Sequence, residues 1–449
     1  MKLKLHTTFG AGRWNEQFEQ TVLFVPGETE NRVLNLYPEI RYQRLEGFGG
    51  AVTDAAAFVY AQMDERQKQS LMEAYFSPGR MNYQMLRVPI DSCDFSTDQY
   101  EAWTESGELD FSRVEERILP MLRDAERAAG RRLPLMLAPW SPPRHMKNSG
   151  KRHGGGSLLP ECRAEYAEYL CRYMEEFIRR GFLVKALSLQ NEPKAVQTWD
   201  SCVYTAQEEK TFLRDFLWPA LKRRGLTGLE IYLWDHNKER VYEWMRDIID
   251  AETDEMIAGA AFHWYSGDHF EALDLCRERF PGKKLVLSES CIEFSKFDPS
   301  DTFGAALSFA HEMIGDLNHG ISFFGDWNLL LDELGGPNYV GNYCLAPFLY
   351  DTKEKRLRPQ LLQQYMEHFS RTLTPGSERI GASRFDESVE MTAWMRPDGS
   401  LALVLLNRED RPAPVVVRLQ DREAALLLQP ESISSAVIEP AQGETALIF

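Results

Sequence analysis

Eight short apolar segments, each followed by a stretch with helical periodicity, occupy the middle of this chain and restrict its possible folds. The segments predicted as strands are 45–50, 84–90, 133–139, 186–190, 231–234, 258–265, 285–288 and 321–324. The helical stretches repeat apolar residues every three to four positions, at 55–76, 114–129, 161–180, 206–224, 240–249, 270–280 and 303–317. Strands that alternate with helices pair in parallel, and eight such units close into a barrel. The predicted fold class is therefore α/β, with a (β/α)8 TIM barrel.

The two ends of the chain show a different pattern. Beyond about residue 375, the segments 389–395, 401–407, 415–419, 424–428 and 432–438 alternate with period two, which is typical of antiparallel strands. The first 40 residues also look extended, at 21–25 and 32–36. We predict N-terminal strands in 1–42, the barrel in 43–372 and a C-terminal antiparallel β domain in 373–449. Both ends together would form an additional antiparallel β-sandwich side domain.

Charge and cysteine usage limit the partners and the compartment. The chain of 449 residues has 51 basic and 68 acidic side chains, a net charge of -17, which argues against a nucleic-acid partner. Its apolar runs are of strand length, far below the ~20 residues of a membrane span. Seven scattered cysteines and an N-terminus without an apolar run favour reduced thiols and a cytoplasmic location. A secreted chain shortened at its N-terminus would look the same, and the oligomeric state stays open.

Two carboxylates at predicted strand ends carry the main functional hypothesis. Glu192 ends strand four and Glu289 ends strand seven, and functional residues of such barrels cluster at this edge. A retaining glycosidase needs two carboxyls about 5–5.5 Å apart, one as nucleophile and one as acid and then base. A single glutamate is usually a solvated surface charge. The pair is more informative, because the mechanism needs both.

Aromatic and polar residues at the same edge support a sugar site. Sugar rings pack their C–H faces on aromatic rings, and the candidates are Trp140, Tyr265 and Trp327. Candidate partners for sugar hydroxyls are Asp94, Asn191, His263 and Asn342. The alternative is that the aromatic residues only close the core. Arg87 can orient a catalytic carboxylate or pair structurally with Asp91 or a neighbouring strand, and we take the structural pairing as the default.

Other chemical motifs are absent from the sequence. Residues 47–50 lack the third glycine of the dinucleotide fingerprint, and no Walker loop or His-Glu-x-x-His motif is present. We predict neither a metal nor a cofactor. The glycines at 154–156 are expected to form a mobile loop near the site, with a phosphate role as the second choice.

Seven motifs, in order along the chain, resemble glycoside hydrolase family 30, a group of retaining β-glycosidases. They are Gly-Phe-Gly-Gly-Ala at 47–51, Arg-Val-Pro at 87–89 with Ser-Cys-Asp-Phe at 92–95, Pro-Trp-Ser-Pro-Pro at 139–143, Gln-Asn-Glu-Pro at 190–193, His-Trp-Tyr at 263–265, Ser-Glu-Ser-Cys at 288–291, and Asp-Trp-Asn at 326–328 with Gly-Gly-Pro-Asn at 335–338. The resemblance covers about 47–351 and extends to the flanking β domain.

The resemblance implies roles for individual residues. Glu192 is similar to the family's acid/base and Glu289 to its nucleophile. Asn191 resembles the residue that binds the 2-hydroxyl, and Tyr265 a tyrosine that contacts the nucleophile. The positions that hold the nonreducing sugar are matched by Asp94, Trp140, Trp327 and Asn342.

The expected activity is hydrolysis of a terminal β-linked sugar, with glucose as the first choice. The expected substrate is a β-linked oligosaccharide or small glycoside. The segment 194–202 differs from the pattern of the animal enzymes and is expected to shape the leaving-group side. A cytosolic chain would meet oligosaccharides or small glycosides more often than ceramide lipids, which puts a lipid substrate in doubt. A β-xylosidase, β-fucosidase or β-1,6-glucanase on the same machinery is the alternative, and a non-catalytic carbohydrate-binding protein is the alternative from another class.

Overall fold

Parallel strands separated by helices dominate the middle of the computed structural model, which describes residues 1–9 and 16–439. The strands are β1 (Lys2–Phe9), β2 (Glu16–Leu23), β3 (Val25–Pro26), β4 (Val33–Arg44), β5 (Gly47–Ala51), β6 (Met85–Ile90), β7 (Pro134–Pro139), β8 (Leu183–Ser188), β9 (Glu230–Asn237), β10 (Gly259–His263), β11 (Lys284–Glu289), β12 (Ile292–Glu293), β13 (Phe323–Asn328), β14 (Leu331–Asp332), β15 (Cys344–Leu345), β16 (Phe348–Asp351), β17 (Arg356–Pro359), β18 (Glu378–Arg384), β19 (Val389–Met395), β20 (Leu401–Asn407), β21 (Ala413–Leu419), β22 (Arg422–Leu428) and β23 (Ser432–Glu439).

The α-helices of these ranges lie mostly between the barrel strands. They are α1 (Asp54–Ala61), α2 (Glu65–Phe76), α3 (Leu119–Ala129), α4 (Arg163–Arg179), α5 (Ala206–Phe212), α6 (Trp218–Arg224), α7 (Val241–Ile248), α8 (Phe270–Arg279), α9 (Thr302–Asn318) and α10 (Leu361–Thr372). A π-helical segment, Leu213–Leu217, joins α5 to α6.

The barrel prediction is confirmed. In the described part of the chain, β5, β6, β7, β8, β9, β10, β11 and β13 pair in parallel in this order, and β13 pairs with β5 to close the barrel. The interior at the amino-terminal end is filled by Met85, Met136, Ala186, Tyr232, Ala261, Val286 and Phe323. Because the strands are buried on both faces, they are short apolar runs in the sequence.

Two helical features differ from the prediction. The stretch 55–76, predicted as one helix, forms α1 and α2, because Asp64 caps the second helix by accepting a hydrogen bond from the Gln67 backbone N–H at 2.8 Å. Helix α10 was not predicted, although its buried residues Leu362, Tyr365, Met366 and Phe369 repeat with helical spacing. It packs between the barrel and the side domain.

The side domain draws its strands from both ends of the chain. Within residues 1–9 and 16–439, the strand order is β2-β1-β23-β20-β19-β18-β4-β21-β22-β3. Distant strands of this sheet share one apolar core, since Leu3 and Leu5 of β1 lie in the same cluster as Leu426 of β22. The sheet therefore folds over on itself as a β-sandwich.

One strand of this domain departs from the predicted period of two. All seven residues of β20 are buried. Leu403 faces the sandwich core, whereas Val404 and Leu406 pack in the cluster that contains α10. The domain boundaries at 42/43 and 372/373 stay predictions, and residues 440–449 lie outside the described residues.

Two further findings concern the cysteines and the helices. All seven cysteines fall in described segments and are free thiols. No helix within residues 1–9 and 16–439 is both long enough and apolar enough to cross a bilayer.

Candidate active site

A cavity of about 170 Å³ opens at the carboxyl ends of the barrel strands. It is lined by Asp94, Phe95, Trp140, Asn191, Glu192, Gln197, Trp199, His236, Asn237, Tyr265, Glu289, Cys291, Glu293, Lys296, Trp327 and Asn342. This set includes both predicted carboxylates and six of the seven predicted binding residues. A larger cavity, of about 870 Å³, lies between α10 and the side domain, and neither carboxylate lines it.

The backbone that carries Glu192 is in an unusual conformation. Glu192 has φ of 48° and Asp235, on the neighbouring strand, has φ of 52°. Side chains rarely adopt this left-handed region, and such strain is concentrated at functional sites. The Glu192 backbone N–H donates to the Asp235 carbonyl at 2.9 Å, which links the two strained residues.

Arg87 is the centre of a buried network, and its side chain pairs neither with Asp91 nor with the neighbouring strands β5 and β7, as the default interpretation expected. Its guanidinium donates to Glu289, to the Asn191 side-chain oxygen at 2.6 Å and to Asp235 at 2.8 Å. Asp91 instead pairs with Arg152 at 3.2 Å and accepts from Tyr169. Arg87 thus orients a predicted catalytic carboxylate, because its planar fork reaches Glu289 and a second acceptor at once.

The Arg87 guanidinium also lies over the rings of two tryptophans. Its distances to the ring centres are 4.8 Å for Trp140 and 5.2 Å for Trp327. These two tryptophans stack on each other at 5.3 Å. Both line the cavity, and the Trp327 indole N–H has no acceptor among the described residues, so it is free to donate to a ligand.

His263 is not on the cavity wall, where the sequence placed it as a partner for sugar hydroxyls. Its side chain is fully buried behind the wall. Its Nδ1 lies 3.3 Å from Glu192 Oε1, and its Nε2 lies 3.2 Å from Asp235 Oδ1 and 3.9 Å from Glu289 Oε2. Burial opposes a charge on this ring, but the carboxylates of Glu289, Asp235 and Glu192 raise its pKa to about 10. His263 is therefore an imidazolium at neutral pH, and its contacts are carboxylates.

The network brings two cationic side chains together with three carboxyl groups. Arg87 and His263 supply two positive charges, and three carboxyl groups face them. Burial opposes ionisation of Asp235, yet Arg87 and His263 hold its pKa well below the usual range. Asp235 is therefore ionised between the two cations.

The two glutamates differ in the forces that act on their protons. Burial opposes ionisation of Glu192, but the hydrogen bond from His263 and the nearby imidazoles lower its pKa. Burial raises the pKa of Glu289 against the opposing charges of His263 and Arg87. Tyr265 donates a hydrogen bond to Glu289 at 3.0 Å, which fixes its orientation. The two pKa values are thus shifted in opposite directions, and both carboxyls lie within 3.9 Å of the same imidazole.

The closed end of the cavity is built by Asp94 and Asn342. The Asn342 side-chain amide donates to Asp94 at 3.1 Å. Burial, followed by the charges of Glu289 and Glu192, raises the pKa of Asp94 well above its usual value. The raised pKa favours the protonated form of Asp94, which can donate as well as accept and so suits a hydroxyl partner.

Several cavity residues were missed by the sequence reasoning. His236 and Asn237 follow Asp235 at the end of β9, while Gln197 and Trp199 lie after Glu192 and the pair Glu293 and Lys296 after Glu289. The available signal was the position of each beside a predicted strand end. Asp235, which holds Arg87 and His263, had the same signal.

The glycines at 154–156 do not form the expected free loop beside the site. The Gly154 N–H donates to the Gln197 carbonyl at 2.8 Å, and the Gly155 N–H to Ser201 Oγ at 3.0 Å. A Cβ on Gly155 would lie 3.0 Å from the Val196 side chain. Gly154 and Gly155 are therefore hydrogen-bonded to the segment that follows Glu192, and Gly155 also packs against it.

Comparison with known proteins decides the family. The Glycosyl hydrolase family 30 TIM-barrel domain matches residues 45–373, and the family's beta sandwich domain matches residues 376–436. The chain belongs to glycoside hydrolase family 30. The predicted resemblance is confirmed, and the protein is a glycoside hydrolase.

Individual relatives agree with this assignment. Putative glucosylceramidase 3 of Caenorhabditis elegans is 30% identical over 91% of this chain and 83% of its own. Lysosomal acid glucosylceramidase of Mus musculus is 28% identical over 86% of this chain and 79% of its own. The crystal structure of SrfJ from Salmonella typhimurium superposes with a TM-score of 0.94 at 37% identity, covering 98% of this chain and 100% of that one. Family 30 hydrolases therefore match this chain across both of its domains.

Proposed function

We propose that this family 30 hydrolase is a retaining β-glycosidase that releases a terminal glucose by double displacement. The observation that supports it best is the shared imidazole of His263, which lies 3.3 Å from Glu192 and 3.9 Å from Glu289. The two-step reaction uses two neighbouring carboxyls whose protons are held with different strength, and the pKa values of Glu192 and Glu289 are shifted in opposite directions.

Glu289 is the proposed nucleophile. Arg87 donates to its Oε2 and Tyr265 donates to its Oε1, and the two donors together orient the carboxylate and stabilise its negative charge. Glu289 attacks the anomeric carbon, and the sugar becomes bound as an ester to this carboxylate. The bond to the leaving oxygen breaks in the same step.

Glu192 is the proposed acid and base. In the reactive state of this mechanism, Glu192 is protonated and Glu289 is ionised. Glu192 gives this proton to the leaving oxygen in the first step. In the second step the Glu192 carboxylate takes a proton from water, which attacks the ester and releases the sugar with its original configuration.

A single terminal sugar suits the size of the cavity. Its volume of about 170 Å³ lies below the roughly 300–1,000 Å³ of pockets for larger ligands. Glucose is the first choice because the named relatives are glucosylceramidases, whose names refer to a glucosyl lipid. A β-xylosidase, β-fucosidase or β-1,6-glucanase activity is the alternative within the family.

The test is a panel of nitrophenyl β-glycosides, comprising glucoside, xyloside, fucoside and galactoside, together with a β-1,6-linked diglucoside. Release from the glucoside, with the β-anomer as the first product seen by NMR, is the expected result. An initial α-anomer would contradict the retaining mechanism. Faster release from another sugar would move the assignment to that sugar, and no release from any of them would count against the proposed function.

A further inference from the structure

We propose that the rim of the cavity on the Glu192 side, outside the space for the terminal sugar, is a leaving-group subsite for a second sugar residue, with Trp199 as its stacking platform. Gln197 and His236 are its proposed hydroxyl partners. This inference rests on the proposed function, since Glu192 marks the leaving-group side only if it is the acid.

The position of Trp199 supports a platform. It follows Glu192 by seven residues, lines the cavity and is half-buried. It packs against the buried apolar cluster that contains Trp140 and Trp327. An indole face with one exposed side offers the flat apolar surface on which a pyranose ring stacks.

The segment that carries Trp199 is held rigidly. The next residue, Asp200, is fully buried and accepts from Arg152 at 3.1 Å and from Gln99 at 2.8 Å. The Ser201 N–H donates to the Arg152 carbonyl at 3.0 Å. The backbone N–H groups of Gly154 and Gly155 donate hydrogen bonds to the same segment. A platform fixed before binding loses little conformational entropy when a ligand arrives.

His236 places hydrogen-bonding ring nitrogens beside Glu192, the proposed acid. Its Nε2 lies 3.9 Å from Glu192 Oε1, too far for a hydrogen bond, and its buried Nδ1 has no partner among the described residues. Burial lowers the pKa of His236, so the ring is neutral at pH 7. A neutral imidazole has one donor and one acceptor, which matches a hydroxyl placed between His236 and Glu192.

The rim of the cavity argues against a lipid leaving group. Glu293 and Lys296 form an ion pair at 2.5 Å, and the Lys296 ammonium lies 5.6 Å from the centre of the Tyr265 ring. With Gln197 and Asn237, these residues make the rim polar. Acyl chains would bury such groups without hydrogen bonds, which is costly, whereas a sugar can bond to them.

The inference is tested by calorimetry with the variant Glu289→Gln, which keeps the cavity but lacks the proposed nucleophile. Its ligands are glucose and a β-1,6-linked diglucoside. We expect the diglucoside to bind at least about tenfold more tightly than glucose. Adding Trp199→Ala should bring the two affinities to within about twofold, and Trp199→Phe should keep most of the difference. Trp218→Ala is the matched control, because Trp218 is half-buried on α6 and does not line the cavity.

Three results would overturn the inference. The first is equal binding of glucose and the diglucoside. The second is a preference that Trp199→Ala leaves unchanged while thermal unfolding confirms a folded variant. The third is a higher kcat/KM of the wild type for micellar glucosylceramide than for the diglucoside. Failure of the proposed function has a different signature, namely no turnover by the wild type, and the binding measurement remains decisive in that case.

Discussion

Glu192 and Glu289, from different barrel strands, lie at opposite nitrogens of one imidazole. His263 Nδ1 is 3.3 Å from Glu192 Oε1, and His263 Nε2 is 3.9 Å from Glu289 Oε2. A charge on this ring acts on both carboxyls at once. The protonation of the proposed nucleophile and that of the proposed acid are therefore set together.

Replacing His263 should move the whole pH profile. In His263→Gln the imidazolium no longer lowers the pKa of Glu192 or of Glu289, so both values rise. Both limbs of the bell-shaped dependence of kcat/KM on pH are expected at higher pH, with a lower maximum. Nitrophenyl glucoside kinetics from pH 4 to 9 measure this. His145→Gln is the control, as this histidine is exposed and outside the cavity, and limbs that stay in place would contradict the prediction.

The stability effect of the same variant should also depend on pH. The raised pKa of His263, about 10 against 6.5 for the free side chain, means that its charge stabilises the fold fully below pH 6.5. That stabilisation declines as pH rises toward 10. Urea unfolding should therefore show a larger loss for His263→Gln at pH 6 than at pH 9.5, and an equal loss at both would show that the charge does not contribute.

Glu289→Gln should lose nearly all turnover and remain folded. The amide cannot form the ester intermediate, although its oxygen can still accept from Arg87 while its NH2 group donates to the Tyr265 hydroxyl oxygen. Steady-state kinetics and thermal unfolding test the two statements. Substantial residual activity in a preparation free of wild type would contradict the role of Glu289.

Glu192→Gln should affect substrates according to their leaving groups. A dinitrophenyl glycoside needs little protonation, so its first step should be spared, whereas an alkyl glycoside should lose about 10²–10⁴-fold. The second step lacks its base, and added azide should restore turnover and yield a β-glycosyl azide. An equal loss on all substrates without azide rescue would contradict the role of Glu192.

Gly49→Ala should destabilise the barrel strongly. A Cβ there would lie 2.0 Å from the Met85 carbonyl oxygen on the neighbouring strand and 2.6 Å from the Phe323 ring. We expect a loss of at least about 3 kcal/mol of unfolding free energy. Gly228→Ala, which meets nothing within 4 Å, should change it by less than about 0.5 kcal/mol. Denaturant unfolding compares the two, and similar values would contradict the packing argument.

The sequence was sufficient for the barrel and for the two glutamates. Strands buried on both faces leave apolar runs, and Glu192 and Glu289 follow two of them, so their common edge could be derived from periodicity. The strand order then follows if successive strand–helix units are neighbours in the barrel.

The sequence was insufficient where a role depends on several strands at once. His263 looked like a hydroxyl partner because its position at a strand end was visible, whereas its three carboxylate neighbours come from β9, β11 and the segment after β8. For Arg87 the sequence allowed two roles, namely orienting a catalytic carboxylate or pairing structurally. Only the folded barrel shows which side chains its guanidinium contacts. Helix α10 was missed although its periodicity was present in the sequence. For β20, the sequence did not indicate that the second face of the strand packs against another part of the protein.

The pairing of β1 with β23 has a consequence for synthesis of the chain. Thr7 Oγ1 and Ser434 Oγ lie 2.7 Å apart although 427 positions separate them along the chain. On the ribosome, β1 can pair with β2 early, but its other edge stays unpaired until β23 has emerged, while the intervening barrel already has all its strands. The first strands of this protein are thus the last to find their place, and during that interval they present an open edge to other nascent chains.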